Sequence, residues 1–338
     1  MNGYQRINAA LNGEMPDKRP VMLHNFMLAI DYAGYTMKEY RENPDIAAKC
    51  LIQFTEKFDL DGVFFDVDTA LMADAVGCHV DFPNDEPARV YGHFLRTLDD
   101  VDSLEEIDIS THPRIQHAIE TMKILRKHFG YEKFLRANCD QAPFSLACCM
   151  RGPEVFMTDL MLQRELSMKL IEYTTRRSQQ LIKLMCKTGV DMVSNGDSPA
   201  GPDMISPNMY RKFAYQAEKV MLETAHTYKI PYLLHICGKT TSILPAMAEM
   251  GLDAVELDYK TPIDLIYQHF STSTTLFGTV DPCGIIAFGT PDNVRQEILK
   301  IANMYKDNYR LVLGARCAIP PKTPEENIRM FVNTVHGL

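Results

Sequence analysis

Several features that would place this chain in a familiar class are missing from its sequence. Its 338 residues include no tryptophan, and no apolar run reaches the roughly 18 residues that a membrane-spanning helix needs. The first residues, Met1–Arg6, do not have the pattern of a signal peptide. There is also no glycine-rich dinucleotide loop and no Walker phosphate loop. We therefore expect a cytoplasmic protein that does not bind a nucleotide through either of those loops.

The chain also lacks a positive charge excess. Its formal net charge of −9 argues against nucleic acid or an anionic membrane surface as the main partner. Hydrophobic residues make up 46% and charged residues 23% of the sequence, which is typical of globular proteins. The composition therefore indicates a folded protein with small-molecule or protein partners.

The nine cysteines are odd in number and irregularly spaced. In a chain without an export signal, this arrangement indicates free thiols rather than a disulfide framework. Some of these thiols are therefore available as metal ligands. The 20 methionines are interpreted as core filler.

Short apolar segments alternate with helical patterns along the whole chain. Such nearly continuous apolar strands are expected where both faces of a parallel sheet are covered by helices. The predicted strands are residues 21–25, 63–68, 134–138, 190–194, 232–234, 254–258, 274–279 and 309–314. The predicted helices are residues 4–12, 44–58, 115–129, 153–187, 206–229, 290–306 and a last helix that opens at Thr323.

Eight strands without a dividing linker favour a single α/β domain, residues 1–338, with the (β/α)8 TIM-barrel fold. A short helical segment precedes the barrel. Alternating apolar positions in residues 78–98 predict a hairpin excursion after the second strand. A doubly wound open sheet is the alternative architecture.

Polar residues follow the predicted strands, at the end where a barrel carries its functional site. They include His24-Asn25, Asp66-Val67-Asp68, Asn138-Cys139-Asp140, Ser194-Asn195-Gly196-Asp197, His235-Ile236-Cys237, Glu256, Asp258, Asp281 and Arg316-Cys317. We therefore expect these side chains to meet at one mouth of the barrel.

His235 and Cys237 are two residues apart at a strand end, so their side chains point to the same side. Imidazole and thiolate are ligands that zinc prefers. Cys317, which follows the eighth strand, is the candidate third ligand. Three protein ligands with one open position are typical of catalytic zinc. The alternative is that His235 is a hydrogen-bonded core histidine and the cysteines are small apolar residues.

Carboxylates at the strand ends supply further candidates. Asp66 and Asp68 could form an acid–base pair, or they could cap the helix that follows. The candidates for a fourth zinc ligand, which the sequence alone does not rank, are Asp197, Glu256, Asp258 and Asp281.

Seven segments spread over the chain resemble the uroporphyrinogen decarboxylase superfamily, in its corrinoid-dependent methyltransferase branch. They are Arg6–Gly13, Arg19–Val21, Ala142–Ala147, Leu234–Gly238, Gly278–Pro282, Phe288–Pro291 and Ile319–Asn327. Porphyrin decarboxylases carry an arginine-rich motif after the first strand, where this chain reads His24–Leu28 without arginine. Cys317 stands where the decarboxylases have histidine, whereas the aspartate that the family carries after strand two is retained as Asp68.

The resemblance implies a (β/α)8 enzyme that transfers a methyl group between a corrinoid carried by a partner protein and a small substrate. The substrate would be a thiol acceptor or a methoxy or methylamine-type donor. Zinc would be held by His235, Cys237 and Cys317. We assign catalytic roles to Asp68 and Asp197, and substrate binding to Asn25, Asn138, Asn195 and Glu256. A homodimer is expected to be possible. The alternatives are a metal-free decarboxylase and a non-catalytic binder of a corrinoid or porphyrin.

Overall fold

Seven parallel strands form a curled sheet at the centre of the protein, and neighbours in the sheet follow one another in chain order. A computed structural model describes all residues, 1–338. The strands are β1 (Gly62–Phe65), β2 (Val80–Asp81), β3 (Arg89–Val90), β4 (Phe134–Gln141), β5 (Met192–Gly196), β6 (Tyr232–Ile236), β7 (Ala254–Leu257), β8 (Thr275–Phe277) and β9 (Leu311–Val312). Each sheet strand pairs with the next one in the order, which is the arrangement that repeated β–α–β connections produce.

Helices precede, connect and follow these strands. They are α1 (Gly3–Asn12), α2 (Phe26–Ala33), α3 (Met37–Glu42), α4 (Pro44–Phe58), α5 (Leu71–Ala75), α6 (Pro113–Phe129), α7 (Pro143–Arg151), α8 (Pro153–Leu162), α9 (Arg164–Cys186), α10 (Pro207–Met209), α11 (Tyr215–Thr227), α12 (Leu244–Glu249), α13 (Ile263–Phe270), α14 (Pro291–Met304) and α15 (Glu325–His336). Proline at the first position of α4, α6 and α14 fixes a helical φ without losing a hydrogen bond. No helix is long and apolar enough to span a membrane.

The two faces of each sheet strand have different surroundings. Side chains of one parity pack in a small cluster inside the curl, which includes Phe64, Leu233 and Phe277, together with Ile7 and Ala10 of α1. Side chains of the other parity join the large core between sheet and helices. Helix α1 thus contacts the interior cluster, and the carboxyl ends of the strands carry the polar residues.

The prediction of a first strand at residues 21–25 is wrong, because this segment does not form a regular β-strand. Only Val21 forms a bridge, with Leu313, and the Asp61 N–H donates to the Val21 carbonyl at 3.0 Å. The segment therefore contacts both edges of the seven-stranded sheet, through two backbone hydrogen bonds with Leu313 and one with Asp61, instead of a ladder. The other seven predicted strands each overlap a strand of the sheet.

Two further predictions can be compared with the structure in detail. The helical tract 153–187 is divided into α8 and α9 at Gln163, which adopts the non-helical angles φ −132° and ψ 53°. The region 78–98 contains the antiparallel pair β2–β3, in which Val80 lies opposite Val90. Helix α7, between β4 and α8, was not anticipated from the sequence.

Candidate functional site

A cavity of about 120 Å³ lies at the carboxyl ends of the strands. Because every sheet strand runs in the same direction, the residues that end them gather around one opening. The cavity is lined by His24, Phe64, Asp66, Thr69, Arg136, Asn138, Asp140, Gln141, Gly196, Ser198, His235, Cys237, Glu256 and Cys317.

The three predicted metal ligands meet on one wall of this cavity. Donor atoms of His235, Cys237 and Cys317 all lie within 4.8 Å of one another. His235 is on β6 and Cys237 follows that strand, and the distance from His235 Nε2 to Cys237 Sγ is 3.0 Å. The shared parity of the two positions therefore brings both side chains to the same face, and Cys317 reaches them from beyond β9.

The three side chains of this cluster have pKa values that are shifted in different directions. The pKa of Cys237 is lowered to about 3, chiefly by a hydrogen bond from the Cys317 thiol and also by His235, although burial opposes the shift. The same hydrogen bond, with burial, raises the pKa of Cys317. Burial lowers the pKa of His235, but the hydrogen bond to Cys237 and the negative charges of Cys237 and Glu256 together outweigh burial and leave the pKa raised. Cys237 is thus a thiolate, and a bound metal ion would displace protons from Cys317 and His235.

The donor set fits zinc. One imidazole nitrogen and two sulfurs are soft ligands, and their convergence leaves one side open toward the cavity. His235 Nδ1 is buried without a hydrogen-bond partner and lies 3.9 Å from Oε1 of Glu256. A carboxylate beside the second nitrogen of a ligating histidine is the usual arrangement around protein-bound metals.

The turn after Cys237 is fixed by its neighbours. Gly238 adopts φ +85°, and a β-carbon there would collide with the carboxylate of Asp203. The Gly238 N–H donates to Asp258 Oδ2 at 2.8 Å, and Arg316 donates to the same oxygen at 2.9 Å. These contacts connect the loop after β6 with the segment that carries Cys317.

A buried ion pair lies next to His235, one of the three predicted metal ligands. Arg136 Nη1 is 2.5 Å from Oε2 of Glu256, and Arg136 Nε donates to Ser194 Oγ at 3.0 Å. The Arg136 guanidinium also stacks over the ring of Phe64, 3.8 Å from its centroid. Glu256 is therefore held between Arg136 and His235.

The opposite wall of the cavity is polar and mostly acidic. Asp66 Oδ2 lies 2.7 Å from His24 Nε2, and Asp66 Oδ1 accepts from Asn138 Nδ2 at 2.9 Å. Asp140 follows on the same strand as Asn138, with φ +57° and a side chain that is 2% exposed. Its Oδ2 accepts from the Met72 N–H at 2.6 Å, whereas Oδ1 has no partner.

Four predicted site residues do not line the cavity. Asp68 lies between Arg114, at 2.6 Å, and Arg41, at 3.4 Å. β1 ends at Phe65, so alternation along the strand no longer fixes the direction of Asp68. Asn25 is buried beside the start of α2 and is not a wall residue.

The side chains of Asn195 and Asp197 lie on the outer face of the sheet, not inside its curl. Asn195 has the opposite parity to Ser194, and its amide donates to the carbonyls of Cys139 and Asp140. Asp197 is fully buried and accepts hydrogen bonds from the N–H and hydroxyl of Ser145. Burial raises the pKa of Asp197 to about 6. Both residues thus form hydrogen bonds at the ends of β4 and β5, outside the cavity wall.

Arg136 and Phe64 line the cavity but were not identified from the sequence. Arg136 lies two residues before Asn138, and Phe64 lies two residues before Asp66, both of which were expected at the mouth. Counting back from each strand end in steps of two would therefore have found both residues. Of the four candidate fourth ligands, only Glu256 lines the cavity, because Asp258 pairs with Arg316 and Asp281 caps the turn at Pro282.

Comparison with known proteins identifies the family to which the chain belongs. Residues 3–338 match the family model described as uroporphyrinogen decarboxylase (URO-D). The methylcobamide:CoM methyltransferase MtaA of Methanosarcina barkeri is 25% identical over 333 residues, which cover 97% of this chain and 95% of that protein.

Other relatives have the second activity of the family. A uroporphyrinogen decarboxylase of Prochlorococcus marinus is 26% identical over 310 residues, which cover 89% of this chain and 86% of the relative. Among solved structures, a methyltransferase from Methanosarcina mazei has a similar fold, with a TM-score of 0.90 and 24% identity over 99% of this chain and 98% of that one.

Proposed function

The chain belongs to the uroporphyrinogen decarboxylase family, and within it we propose a zinc-dependent methyltransferase that moves a methyl group between a corrinoid protein and a small substrate. The observation that carries this proposal is the convergence of His235, Cys237 and Cys317 on one wall of a small cavity. The similarity to methylcobamide:CoM methyltransferases over nearly the whole length supports the same reaction class.

His235 Nε2, Cys237 Sγ and Cys317 Sγ would hold the zinc ion. Bound there, zinc supplies a Lewis acid that lowers the pKa of a substrate thiol, or polarises a substrate oxygen, at neutral pH. Glu256 keeps the His235 imidazole oriented, with Nδ1 toward the carboxylate and Nε2 toward the sulfurs. Asp258 and Gly238 fix the backbone that presents Cys237.

The size of the cavity supports a small substrate and an external corrinoid. The cavity has a volume of about 120 Å³, which suits a substrate of a few heavy atoms. A corrinoid is much larger than such a substrate, which favours a corrinoid that stays on its partner and approaches the opening. We take the sheet to be a (β/α)8 barrel completed by the segment around Val21, which would leave this opening as the natural docking place.

The same argument weighs against the decarboxylase alternative, although decarboxylases are among the relatives. A porphyrinogen substrate would need both more space and free cations for its carboxylates. Arg136 is the only arginine or lysine that lines the cavity, and it is paired with Glu256. A porphyrinogen assay with the purified protein is therefore expected to show no turnover.

The reaction can be tested with free methylcobalamin in place of the corrinoid protein. We expect the zinc-loaded protein to demethylate methylcobalamin when a small thiol is added, or to methylate cob(I)alamin from a methoxy or methylamine-type donor. Either change is followed by absorbance. The Cys317→Ser variant should be inactive, and Cys283→Ser, at an exposed cysteine, should retain activity. Tight corrinoid binding without transfer in either direction would favour the non-catalytic alternative.

A further inference from the structure

A histidine and an aspartate of the cavity wall form a hydrogen-bonded pair. His24 Nε2 lies 2.7 Å from Asp66 Oδ2, and both residues line the cavity. Asp66 Oδ1 accepts from the Val67 N–H at 2.8 Å and from Asn138 Nδ2 at 2.9 Å. Because donors surround this carboxylate, it accepts from His24, which places the proton of the neutral imidazole on Nε2 and a lone pair on Nδ1. The pair is therefore arranged as a base that a carboxylate orients.

His24 Nδ1 is the open atom of this pair. It has no hydrogen-bond partner in the protein, and it is not among the polar atoms that are buried without one. The side chain is 13% exposed and lines the cavity. Its ring packs against the rings of Phe64 and Phe26, at centroid distances of 4.5 and 5.7 Å. Nδ1 is thus a proton acceptor that is held in place and open to a ligand, as acid–base catalysis requires.

The pair is also close to the predicted metal ligands. The Ile319 N–H donates to the His24 carbonyl at 2.8 Å, so the segment of His24 runs beside the segment after β9 that carries Cys317. Neighbouring extended segments are about 4.8 Å apart. Met22, two residues before His24, lies in the cluster inside the curl, and the histidine side chain lines the cavity on the same side. A substrate atom beside Cys317 is therefore within reach of the imidazole.

The other charged groups of the wall, apart from the predicted metal ligands, are already engaged. They are Asp66, Asp140, Glu256 and Arg136. Both oxygens of Asp66 have donors, and Glu256 lies between Arg136 and His235. One oxygen of Asp140 accepts from a backbone N–H, and the other is buried. Nδ1 of the histidine is therefore the titratable atom of the wall that is both open and without a partner.

We propose that His24, oriented by Asp66, is the acid–base residue of the transfer reaction, and that its Nδ1 carries the proton that the reaction releases or consumes. The reaction itself rests on the proposed function. With a thiol acceptor, the S–H bond breaks and its proton moves to Nδ1. The sulfur then forms the S–C bond, and the electron pair of the Co–C bond stays on cobalt, which is reduced from Co(III) to Co(I).

A methoxy donor reverses these steps. The electron pair of Co(I) forms the Co–C bond, so that cobalt is oxidised to Co(III). The O–C bond breaks with its electron pair on oxygen, and that oxygen takes the proton from Nδ1. The same nitrogen therefore serves as base in one direction and as acid in the other.

The His24→Gln variant tests the imidazole. Glutamine keeps an N–H for Asp66 but has no nitrogen that titrates. With zinc-loaded protein, methylcobalamin and 2-mercaptoethanol, we expect kcat/KM to fall about 100- to 10,000-fold, which is the usual contribution of acid–base catalysis. The matched control, His128→Gln, breaks a comparable pair with Glu56, at 2.8 Å, away from the cavity. It should keep wild-type kinetics, and both variants should keep about one equivalent of zinc.

A more acidic thiol separates base catalysis from a structural defect. 2,2,2-Trifluoroethanethiol loses its proton more readily than 2-mercaptoethanol and depends less on a base. The deficit of His24→Gln should therefore be at least about 10-fold smaller with the fluorinated thiol, whereas a structural defect would affect both thiols equally. Asp66→Asn should lower kcat in the wild type and have little further effect in His24→Gln, because Asp66 acts through the imidazole.

A proton count gives a readout that does not need turnover. Calorimetry of 2-mercaptoethanol binding to the zinc-loaded protein, in two buffers of different protonation enthalpy, measures the protons released to the solvent. The wild type should release few, because Nδ1 retains the proton of the thiol. His24→Gln should release about one proton for each thiol bound. If this variant does not fold, the wild type alone decides, and release of about one proton by the wild type would overturn the proposal.

The outcomes separate this proposal from the proposed function. If His24→Gln keeps wild-type kinetics with a thiol, or with a methoxy donor where only demethylation occurs, the acid–base role is wrong and the methyltransferase stands. If transfer occurs in neither direction, the methyltransferase fails and the proton count decides the role of His24. A difference of about one proton between wild type and variant would support that role, and equal release, or no thiol binding by either, would overturn it.

Discussion

The sulfur atoms of Cys237 and Cys317 lie within 4.8 Å of each other, although the two residues follow different strands, β6 and β9. Between these strands the sheet also contains β7 and β8, so the contact spans the cavity opening. The contact depends on the curl of the sheet, because a flat sheet would keep two such strand ends about 14 Å apart.

Replacing Cys317 with serine should remove the metal. Zinc-binding free energies of about 10–16 kcal/mol, spread over three or four ligands, imply a loss of about 100- to several thousand-fold in affinity per ligand. Zinc content after dialysis, measured by atomic emission, should fall from about one equivalent to a small fraction. Cys283→Ser changes an exposed cysteine outside the cavity and should keep the full equivalent. Equal zinc in the two variants would refute the ligand assignment.

Glu256→Gln should weaken zinc binding without abolishing it. The carboxylate lies 3.9 Å from His235 Nδ1 and favours the tautomer in which Nε2 is a free ligand. Loss of such a partner typically costs about 10- to 100-fold in metal affinity. Competition with a chromophoric chelator measures the change, and unchanged affinity would show that Glu256 does not orient the imidazole.

Arg136 and Glu256 should depend on each other for stability. Arg136→Met leaves the buried carboxylate without its guanidinium, and breaking a buried ion pair in this way costs about 3–5 kcal/mol. The double variant Arg136→Met/Glu256→Gln removes both charges and should recover most of that loss. Urea unfolding of the wild type and the three variants gives the coupling free energy, and simple additivity would contradict the pairing.

Asp197→Asn should stabilise the protein above pH 6 and leave zinc binding intact. The pKa of Asp197 is raised from 3.8 to about 6 by burial, so its contribution to folding is complete below pH 3.8 and declines as the pH rises to 6. At pH 8 the difference of about two units corresponds to about 3 kcal/mol, which the neutral amide would recover in part.

Urea unfolding between pH 4 and pH 8 checks this prediction. The wild type should lose stability between pH 4 and pH 6, and the variant should lose less. A variant that folds but has no methyl-transfer activity would instead restore the catalytic role that the sequence suggested for Asp197.

The convergence of His235, Cys237 and Cys317 was predictable because it follows from strand parity and from the meeting of parallel strand ends. His235 and Cys237 needed only the two-residue spacing, and Cys317 needed only the eighth strand. The same rule failed at Asp68, where regular strand geometry ends at Phe65. Strand alternation would also have excluded Asn195 from the cavity, because its side chain points to the outer layer, beside Tyr232.

Arg136 could not be recognised as a cavity residue from its type. A charged residue in the middle of an apolar strand is rarely buried without a partner, and the partner, Glu256, is on a strand far along the chain. The sequence also could not show that residues 21–25 form only a single bridge, at Val21, instead of a regular strand. An apolar pattern looks the same in both cases.

Zinc-edge X-ray absorption spectroscopy tests the central claim most directly. The zinc-loaded protein should show two sulfur neighbours at about 2.3 Å and nitrogen or oxygen neighbours at about 2.0–2.1 Å. Addition of a thiol substrate should raise the sulfur count to three, and Cys317→Ser should begin with one sulfur fewer. A sulfur count that stays at two in the presence of a thiol that the protein methylates would contradict thiol activation by this centre. Zinc without sulfur neighbours would contradict the ligand set itself.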